Sequence, residues 1–468
     1  MKSIFIFRRD FRLEDNLGFI ECYKKSSQIL PIFIFTETQV EKNPYFSSNA
    51  FQFMLESLDQ LDNDLKTNYK SQIQYYYGEN VNILNQIKES EFDYDALFFN
   101  KDYTPYAQKR DEEISNFCKD HSITCIMMED YLLSPMGTYL KTDSREYQKY
   151  TPFKNNAKPI LVQKPIYMSY DISKFKKIKK DSGKNKPKHI YKLTELEQYY
   201  EINDDLAVHG GRDKALKILG SIRKFMHYGD ERNDLNKSTT HLSAYIKFGC
   251  VSIREVYYAF LKELGINSVL IDQLYWREFY YYLSYYNPYI LEQGKSLKEK
   301  YDAISWENNK KSIEAWKKGL TGFPGVDAGM RQMNKTGFMH NRARLITSGI
   351  LIKILNCDWR VGEKYFAQNL VDYDPIVNNG NWQWSSGSGA DSQPYFRILS
   401  PWKQVIDNDP DCEYIKKWIP ELENVDKKDI LKWDKKCGVI KTYPCPIVNY
   451  EEMRKDIIKV YKDGLYES

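Results

Sequence analysis

The chain has 468 residues, a formal net charge of +4 and an aromatic fraction of 15% led by Tyr, enough for about two to four domains with at least one substantial core. So small a net charge excludes a uniformly basic surface, and a nucleic-acid partner would have to be met by local clusters. Eight scattered cysteines with no C-x-x-C pair argue against a disulfide framework, a structural zinc site and an iron–sulfur cluster, and no apolar run reaches the roughly 20 residues of a membrane span.

Reduced thiols and no metal are therefore expected. The N-terminus enters a strand-like run, Ser3 to Phe7, without a charged-then-apolar leader, which fits a soluble intracellular protein, cytoplasmic or nuclear. Short apolar runs follow at Ile29 to Phe35, Ile73 to Tyr77, Ala96 to Phe99 and Ile123 to Met127. Longer segments with helical spacing separate them, such as Phe51, Met54, Leu55, Leu58, Leu61 and Leu65. That alternation predicts a parallel sheet covered by helices, a Rossmann-like α/β domain over residues 1–134. Arg8-Arg9-Asp10-Phe11-Arg12 stands after the first strand where a dinucleotide fold would carry G-x-G-x-x-G, so no dinucleotide is expected there.

Over residues 135–204 the pattern is lost, and the Lys-rich stretch Lys174 to Lys188 reads as a solvated linker ahead of a DNA contact or an import signal. Residues 205–468 return to helical spacing. Ala215, Ile218, Leu219, Ile222, Phe225 and Met226 form one apolar face, Ser252 and Glu255 have capping-box spacing, and all nine Trp fall here, from Trp276 to Trp433.

Several segments could carry chemistry. Lys237 to Ser243 places successive hydroxyls before a helix start, where a phosphate would meet hydroxyl and backbone N–H donors. Helical spacing puts Gln273, Trp276, Arg277 and Tyr280 on one side of a helix. An amide, an indole, a guanidinium and a phenol can stack on a planar group and bind its edge, and they would serve equally as a buried network. Asn341 and Leu345 share a face, while Arg342 and Arg344 diverge. Asp372 and Asp374 lack a third ligand nearby and suit an Arg or a ligand edge better than a metal. Just beyond, Val377-Asn378-Asn379-Gly380-Asn381-Trp382-Gln383-Trp384 reads as a Gly/Asn-rich loop whose indoles approach a ligand, or as an aromatic turn on a helical core.

Phe7 to Asn16 (FRRDFRLEDN), Asp102 to Asp111 (DYTPYAQKRD), Thr239 to Gly249 (TTHLSAYIKFG), Gln273 to Tyr280 (QLYWREFY), Thr321 to Arg331 (TGFPGVDAGMR), Gly337 to Ile346 (GFMHNRARLI) and Asn378 to Arg397 come in that order. Together they resemble the photolyase/cryptochrome family over nearly the whole chain. The resemblance implies an FAD folded into a U inside an all-α C-terminal domain. Tyr228, Thr239, Thr240, Leu242 and Ser243 would hold its phosphate and ribityl region. Trp276, Arg344, Asp372 and Asp374 would line the pocket, with Arg344 and Asp372 as an ion pair beside the flavin. Asn378 would face flavin N5, and an amide oxygen that accepts from protonated N5 fits fully reduced FADH⁻ as the active form.

The same resemblance makes Trp382, Trp359 and Trp306 an electron-transfer chain, and Trp384 and Trp276 the indoles flanking a flipped-out pyrimidine dimer. Extruding a base costs about a few kcal/mol, and stacking on indoles offsets it. Gln273, Asn341, Asn378 and Trp384 form the implied catalytic set, and Arg232, Arg277, Arg342 and Arg397 would hold the DNA backbone. The implied enzyme resembles class I cyclobutane-dimer photolyases. Light-excited FADH⁻ lends an electron to the dimer, the ring splits, and the electron returns. Its partner would be UV-damaged DNA, with no membrane, and the enzyme would be a monomer.

Gln273 departs from that class, which usually carries Glu there; Gln is the residue of (6-4) photolyases and animal-type cryptochromes. Against a (6-4) photolyase, Asn341 and Leu345 stand where those enzymes carry two His, which removes the proton donor of their repair. A cryptochrome-type blue-light photoreceptor is the alternative from another class, and a non-photochemical flavoprotein a third. The antenna chromophore stays open: a folate would need an amide and a carboxylate that Tyr103-Thr104-Pro105-Tyr106-Ala107 does not offer, which leaves a deazaflavin, another flavin or none.

Overall fold

Five short runs of bulky apolar residues become strands β1 (Lys2–Ile6), β2 (Gln28–Phe35), β3 (Gln74–Tyr77), β4 (Ala96–Asn100) and β5 (Thr124–Met128), all parallel. The computed structural model of the protein describes residues 1–176 and 187–466. A sixth strand, β6 (His189–Ile190), pairs antiparallel with β3 and completes the order β5-β4-β1-β2-β3-β6. Sequence pattern missed β6 because a polar network holds it in place. His189 Nε2 lies 2.5 Å from Glu91 Oε1, and Tyr76 donates to Glu91 Oε2 at 2.8 Å. Most of the Lys174 to Lys188 run, residues 177–186, lies outside the described residues. At its edges Lys174 donates to the Tyr23 carbonyl at 3.0 Å, and the Lys188 ammonium sits 4.3 Å above the Tyr77 ring.

Successive strand side chains point to opposite faces, so each face of the sheet builds its own core. Ile4, Ile6, Leu30, Ile32, Ile34, Leu97 and Phe99 fill one. Phe5, Phe7, Phe33, Phe35 and Phe98 fill the other, which continues without a break into Phe248, Phe260 and Phe279 of the helical region. The two regions thus share a core.

The helices that matter for the site are α1 (Ser48–Tyr69), α2 (Tyr150–Ala157), α3 (Ser243–Lys247), α4 (Ile253–Leu264), α5 (Val269–Tyr286), α6 (Asn341–Lys353), α7 (Trp359–Asn369) and α8 (Pro375–Ser386). The capping box opens α4: Ser252 Oγ accepts from the Glu255 N–H and Glu255 Oε2 from the Ser252 N–H, both at 2.9 Å. The Val377 to Trp384 run is not a loop; it lies inside α8. Asp374 Oδ1 accepts from the Ile376 and Val377 N–H groups at 3.1 Å, and Pro375 fills the first turn, where no N–H is needed. The close approach expected of Gly380 is made to protein: a Cβ there would lie 2.2 Å from Tyr280 Cδ1, so the glycine lets α8 pack on α5.

Two other expectations change. The apolar face of Ala215 to Met226 breaks after Gly220, where the helix Arg212–Gly220 gives way to a 3-10 turn; only Ala215 and Ile222 are buried and Met226 is exposed. The thiols are not all reduced: Cys437 and Cys445, eight residues apart, are disulfide-bonded across a turn that brings their Cα atoms to 5.0 Å, and the other six cysteines are free. Among the described residues no helix is long and apolar enough to cross a membrane, and no group of three or more His, Cys, Asp or Glu could hold a metal ion.

The segment that replaces the dinucleotide fingerprint clamps the sheet to the helices. Arg12 pairs with Asp130 and donates to the Gly249 carbonyl at 3.1 Å. Arg254 reaches back to Asp15 at 2.9 Å and Asp130 at 2.6 Å. Gly249, at φ +64°, permits this contact, since a Cβ would lie 2.3 Å from the Arg9 carbonyl oxygen.

Candidate active site

A cavity of about 560 Å³ opens between α5, α6, α8 and the segment leading into α3. Tyr228, Arg232, Thr239, Thr240, Leu242 and Ser243 line it together with Gln273, Trp276, Arg277, Asn341, Leu345 and Trp384. Arg344, Asp372, Asp374, Asn378 and Trp382 also lie in its wall. Sequence spacing had placed these residues on separate stripes; the fold turns the stripes toward one space. Trp306, Trp359, Arg342 and Arg397 are not part of its lining.

Each charged group on the wall has a partner. Arg344 Nη2 donates to Asp372 Oδ2 at 3.0 Å, its Nε donates to the Met339 carbonyl at 2.9 Å, and Ser243 Oγ donates to Asp372 Oδ2 at 2.7 Å. Asp374 Oδ2 accepts from Arg9 Nη2 at 2.9 Å and from the Tyr281 hydroxyl at 2.7 Å. Burial by itself would raise the Asp374 pKa, but Arg9, Arg277 and the hydrogen bonds outweigh it and hold the carboxyl below its ordinary value.

Asn378 donates its Nδ2 to the Glu363 carbonyl at 3.0 Å and to Glu363 Oε1 at 3.1 Å. With the nitrogen committed, Oδ1 is the atom left for the cavity. Burial pushes the Glu363 carboxyl up to about 7, against the hydrogen bonds from Asn378 and Tyr45. The sequence offered one signal for Glu363: it stands four residues after Trp359 on the same helix.

The tryptophans divide by environment. Trp382 is buried, edge-on to Phe366 at 4.9 Å and to Trp316 at 6.2 Å. It abuts α7 at Gly362, where a Cβ would lie 2.1 Å from Trp382 Cη2, and Trp359 sits one turn away on that helix. Trp306 is partly buried, edge-on to Tyr461 at 5.5 Å. Among the arginines matched to DNA, Arg277 is half committed: Nη1 donates to the Tyr131 carbonyl at 2.9 Å, while Nη2 is buried without a partner among the described residues. Arg342 donates to Asn233 Oδ1 at 2.5 Å, and Arg397, exposed, to Gln393 Oε1 at 2.7 Å.

A second cavity, of about 280 Å³, lies at the carboxyl ends of β1, β2 and β4, where open α/β sheets bind ligands. Arg8, Phe35, Tyr45, Asp102, Tyr106 and Tyr373 line it, and Arg8 Nη2 is buried there without a partner among the described residues. Lys247 and Tyr373 border both cavities. Burial first, then the charge of Arg9, lower the Lys247 ammonium to about 7. Neither role of Arg9 nor that of Lys247 was foreseen, although both lie in segments singled out in the sequence.

The match to known proteins decides the family. Residues 3–167 match the family model "DNA photolyase", and residues 270–463 match "FAD binding domain of DNA photolyase". The deoxyribodipyrimidine photo-lyase of Escherichia coli is 32% identical, over 97% of both chains. The chain belongs to the photolyase/cryptochrome family. Among solved structures, an archaeal photolyase from Sulfolobus tokodaii with two FAD molecules superposes with a TM-score of 0.87 at 36% identity, covering 99% of this chain and 100% of that one. A class III photolyase from Agrobacterium tumefaciens gives 0.87 at 30% identity, over 99% and 97%.

This photolyase-family chain is an enzyme whose helical domain binds FAD. The large cavity fits that group on its own chemistry. Its lining combines hydroxyls and cations that suit phosphates with an amide and indoles that suit a ring system. Arg277 Nη2, buried without a partner among the described residues, awaits an acceptor, and His241 Nδ1, likewise unpartnered, awaits a hydrogen-bond partner.

Proposed function

We propose that the protein repairs cyclobutane pyrimidine dimers in UV-damaged DNA under light, with FAD in the large cavity in its fully reduced form. The observation that carries this reading is that Trp276 from α5 and Trp384 from α8 line the same cavity as Asn378. Two indoles in one cavity lining can receive an extruded dimer, and their stacking offsets part of the cost of extrusion. Gln273 donates an amide hydrogen to a pyrimidine carbonyl, and Asn341 offers a second amide on the facing helix. Arg232, Arg342 and Arg397 meet the phosphates on either side.

FAD, when bound, supplies the light absorption and the electron that opens the cyclobutane ring. The protein's part is to hold and tune. Thr239, Thr240 and Ser243 cradle the phosphate end, Arg344 is fixed by Asp372 beside the ring system, and Glu363 turns the Asn378 oxygen toward it. Trp382, Trp359 and Trp306 carry electrons inward from the surface. In this division of labour residues 1–134 serve the antenna, residues 135–204 connect, and residues 205–468 hold FAD and lesion. The second cavity is the place for the antenna, and its aromatic and guanidinium lining suits a planar anionic ring such as a flavin or deazaflavin better than a folate.

Asn341 and Leu345 face the cavity where (6-4) repair would need an acid, which disfavours that substrate despite Gln273. The test is repair of defined cyclobutane and (6-4) lesions in duplex DNA under blue light with reductant. Restoration of the cyclobutane lesion alone is expected. Restoration of the (6-4) lesion alone overturns the substrate, and light-driven flavin reduction with neither lesion restored identifies a photoreceptor.

A further inference from the structure

We infer that Tyr150, in the connector between the two domains, is a positioning residue for lesion binding: it backs the Trp276 indole and holds it as a fixed wall of the cavity. The inference rests on the reading of Trp276 given above. Tyr150 begins α2, and its ring lies on the Trp276 ring with centroids 3.7 Å apart and planes 9° from parallel. One face of the indole is thereby covered, and Trp276 still borders the cavity.

Three further contacts lock the pair. The Tyr150 hydroxyl donates to the Asp272 carbonyl at 2.6 Å, one helical turn before Trp276 on α5. Lys154, one turn along α2, donates to Asp272 Oδ2 at 3.0 Å. Phe279 meets both rings edge-on, at 6.0 Å from Tyr150 and 5.8 Å from Trp276. Tyr150 is buried and Trp276 is partly exposed, so the phenol is the anchor and the indole the working surface.

A partly exposed indole on a cavity wall otherwise samples rotamers, and stacking a base on it requires that freedom to be given up on binding. A parallel ring already clamped behind it removes the loss beforehand. The consequence is specific to extruded bases: contacts to undamaged backbone do not use the indole.

The test compares the holoenzyme with Tyr150→Phe, which keeps the plane, and Tyr150→Met, which keeps most of the volume and loses the plane. Affinity is measured for a duplex with one cyclobutane thymine dimer and for the same duplex undamaged, together with FAD absorbance. Tyr150→Met is expected to weaken dimer binding roughly tenfold, leave undamaged DNA binding and FAD content unchanged, and repair normally at saturating substrate. Tyr150→Phe loses the bond to Asp272 but keeps the stacked plane, which carries the effect, and is expected to bind close to the wild type. Wild-type dimer affinity in Tyr150→Met, or equal loss for both duplexes, overturns the inference alone. Should Tyr150→Met not fold, a Tyr150→Phe variant that loses dimer preference with FAD retained overturns it as well, since that variant keeps the plane. A wild-type enzyme without preference for the dimer overturns the repair reading and the inference with it.

Discussion

Glu363 holds the Asn378 amide by its nitrogen, at 3.0 Å from its carbonyl and 3.1 Å from Oε1, so the orientation of an amide that lines the large cavity is set from the neighbouring helix. Glu363→Leu removes the side-chain acceptor, leaves only the carbonyl to hold the amide and so loosens its orientation. That variant is expected to retain FAD but to reoxidise in air faster than the wild type, read from the return of the oxidised flavin spectrum.

The same carboxyl gives a pH prediction. Its pKa is about 7 in the fold against an ordinary 4.5, so between these values the folded protein binds more protons than the unfolded one. Stability contributed by the neutral acid is present below about 4.5 and is lost as pH rises toward 7, by at most roughly 3 kcal/mol. Glu363→Gln stays neutral throughout. Its melting temperature minus that of the wild type should grow from pH 5 to pH 8; a constant difference would falsify the assignment.

Arg9 has both Asp102 and Asp374 within reach, at 3.3 and 2.9 Å. Removing the guanidinium takes the nearest counter-charge from two carboxylates mostly out of water and leaves Asp374 with the weaker influence of Arg277, a loss of up to about 3–5 kcal/mol for such a buried pair. Arg9→Ala is therefore expected to lower the denaturant midpoint sharply and to loosen FAD, since Asp374 caps α8. Denaturant melts with and without added FAD measure both effects.

Gly362 admits the Trp382 ring to α7. A methyl group there must displace the indole or bend the helix, at about 1–3 kcal/mol for overpacking of this kind. Gly362→Ala should slow light-driven reduction of oxidised flavin more than it slows repair by enzyme reduced chemically beforehand. Equal effects on both would place the damage elsewhere than the electron path.

Trp384→Ala and Trp382→Phe should separate two functions of one helix. The first is expected to weaken dimer binding by about 1–3 kcal/mol and to leave FAD bound. The second should leave binding intact and abolish photoreduction. Loss of FAD in Trp384→Ala with unchanged lesion affinity would reverse the division of the tryptophans.

Much of this was legible in the chain. Bulky apolar runs announce β1 to β5 because a strand buried on both faces has no polar positions, and the helical stripe of Gln273, Trp276 and Arg277 does face the cavity. The unread parts depend on contacts far apart in sequence. Arg9 meets Asp374 across 365 positions, and Tyr150 lies 126 residues before the indole it stacks on, so no local period reports either. The α8 run was read as a loop because Asn and Gly are poor helix formers; the Asp374 cap and the packing of Gly380 on Tyr280 override that propensity.

The clamp formed by Arg12, Asp130, Arg254 and Asp15 has a thermodynamic consequence. All four side chains are almost fully shielded from solvent, and each carboxylate is shared between the sheet and the helices. Pulling the two regions apart would strand charges in partly dismantled pockets before either region unfolded. Two domains by architecture are thus expected to melt as one unit, and calorimetry should record one transition with matching calorimetric and van't Hoff enthalpies.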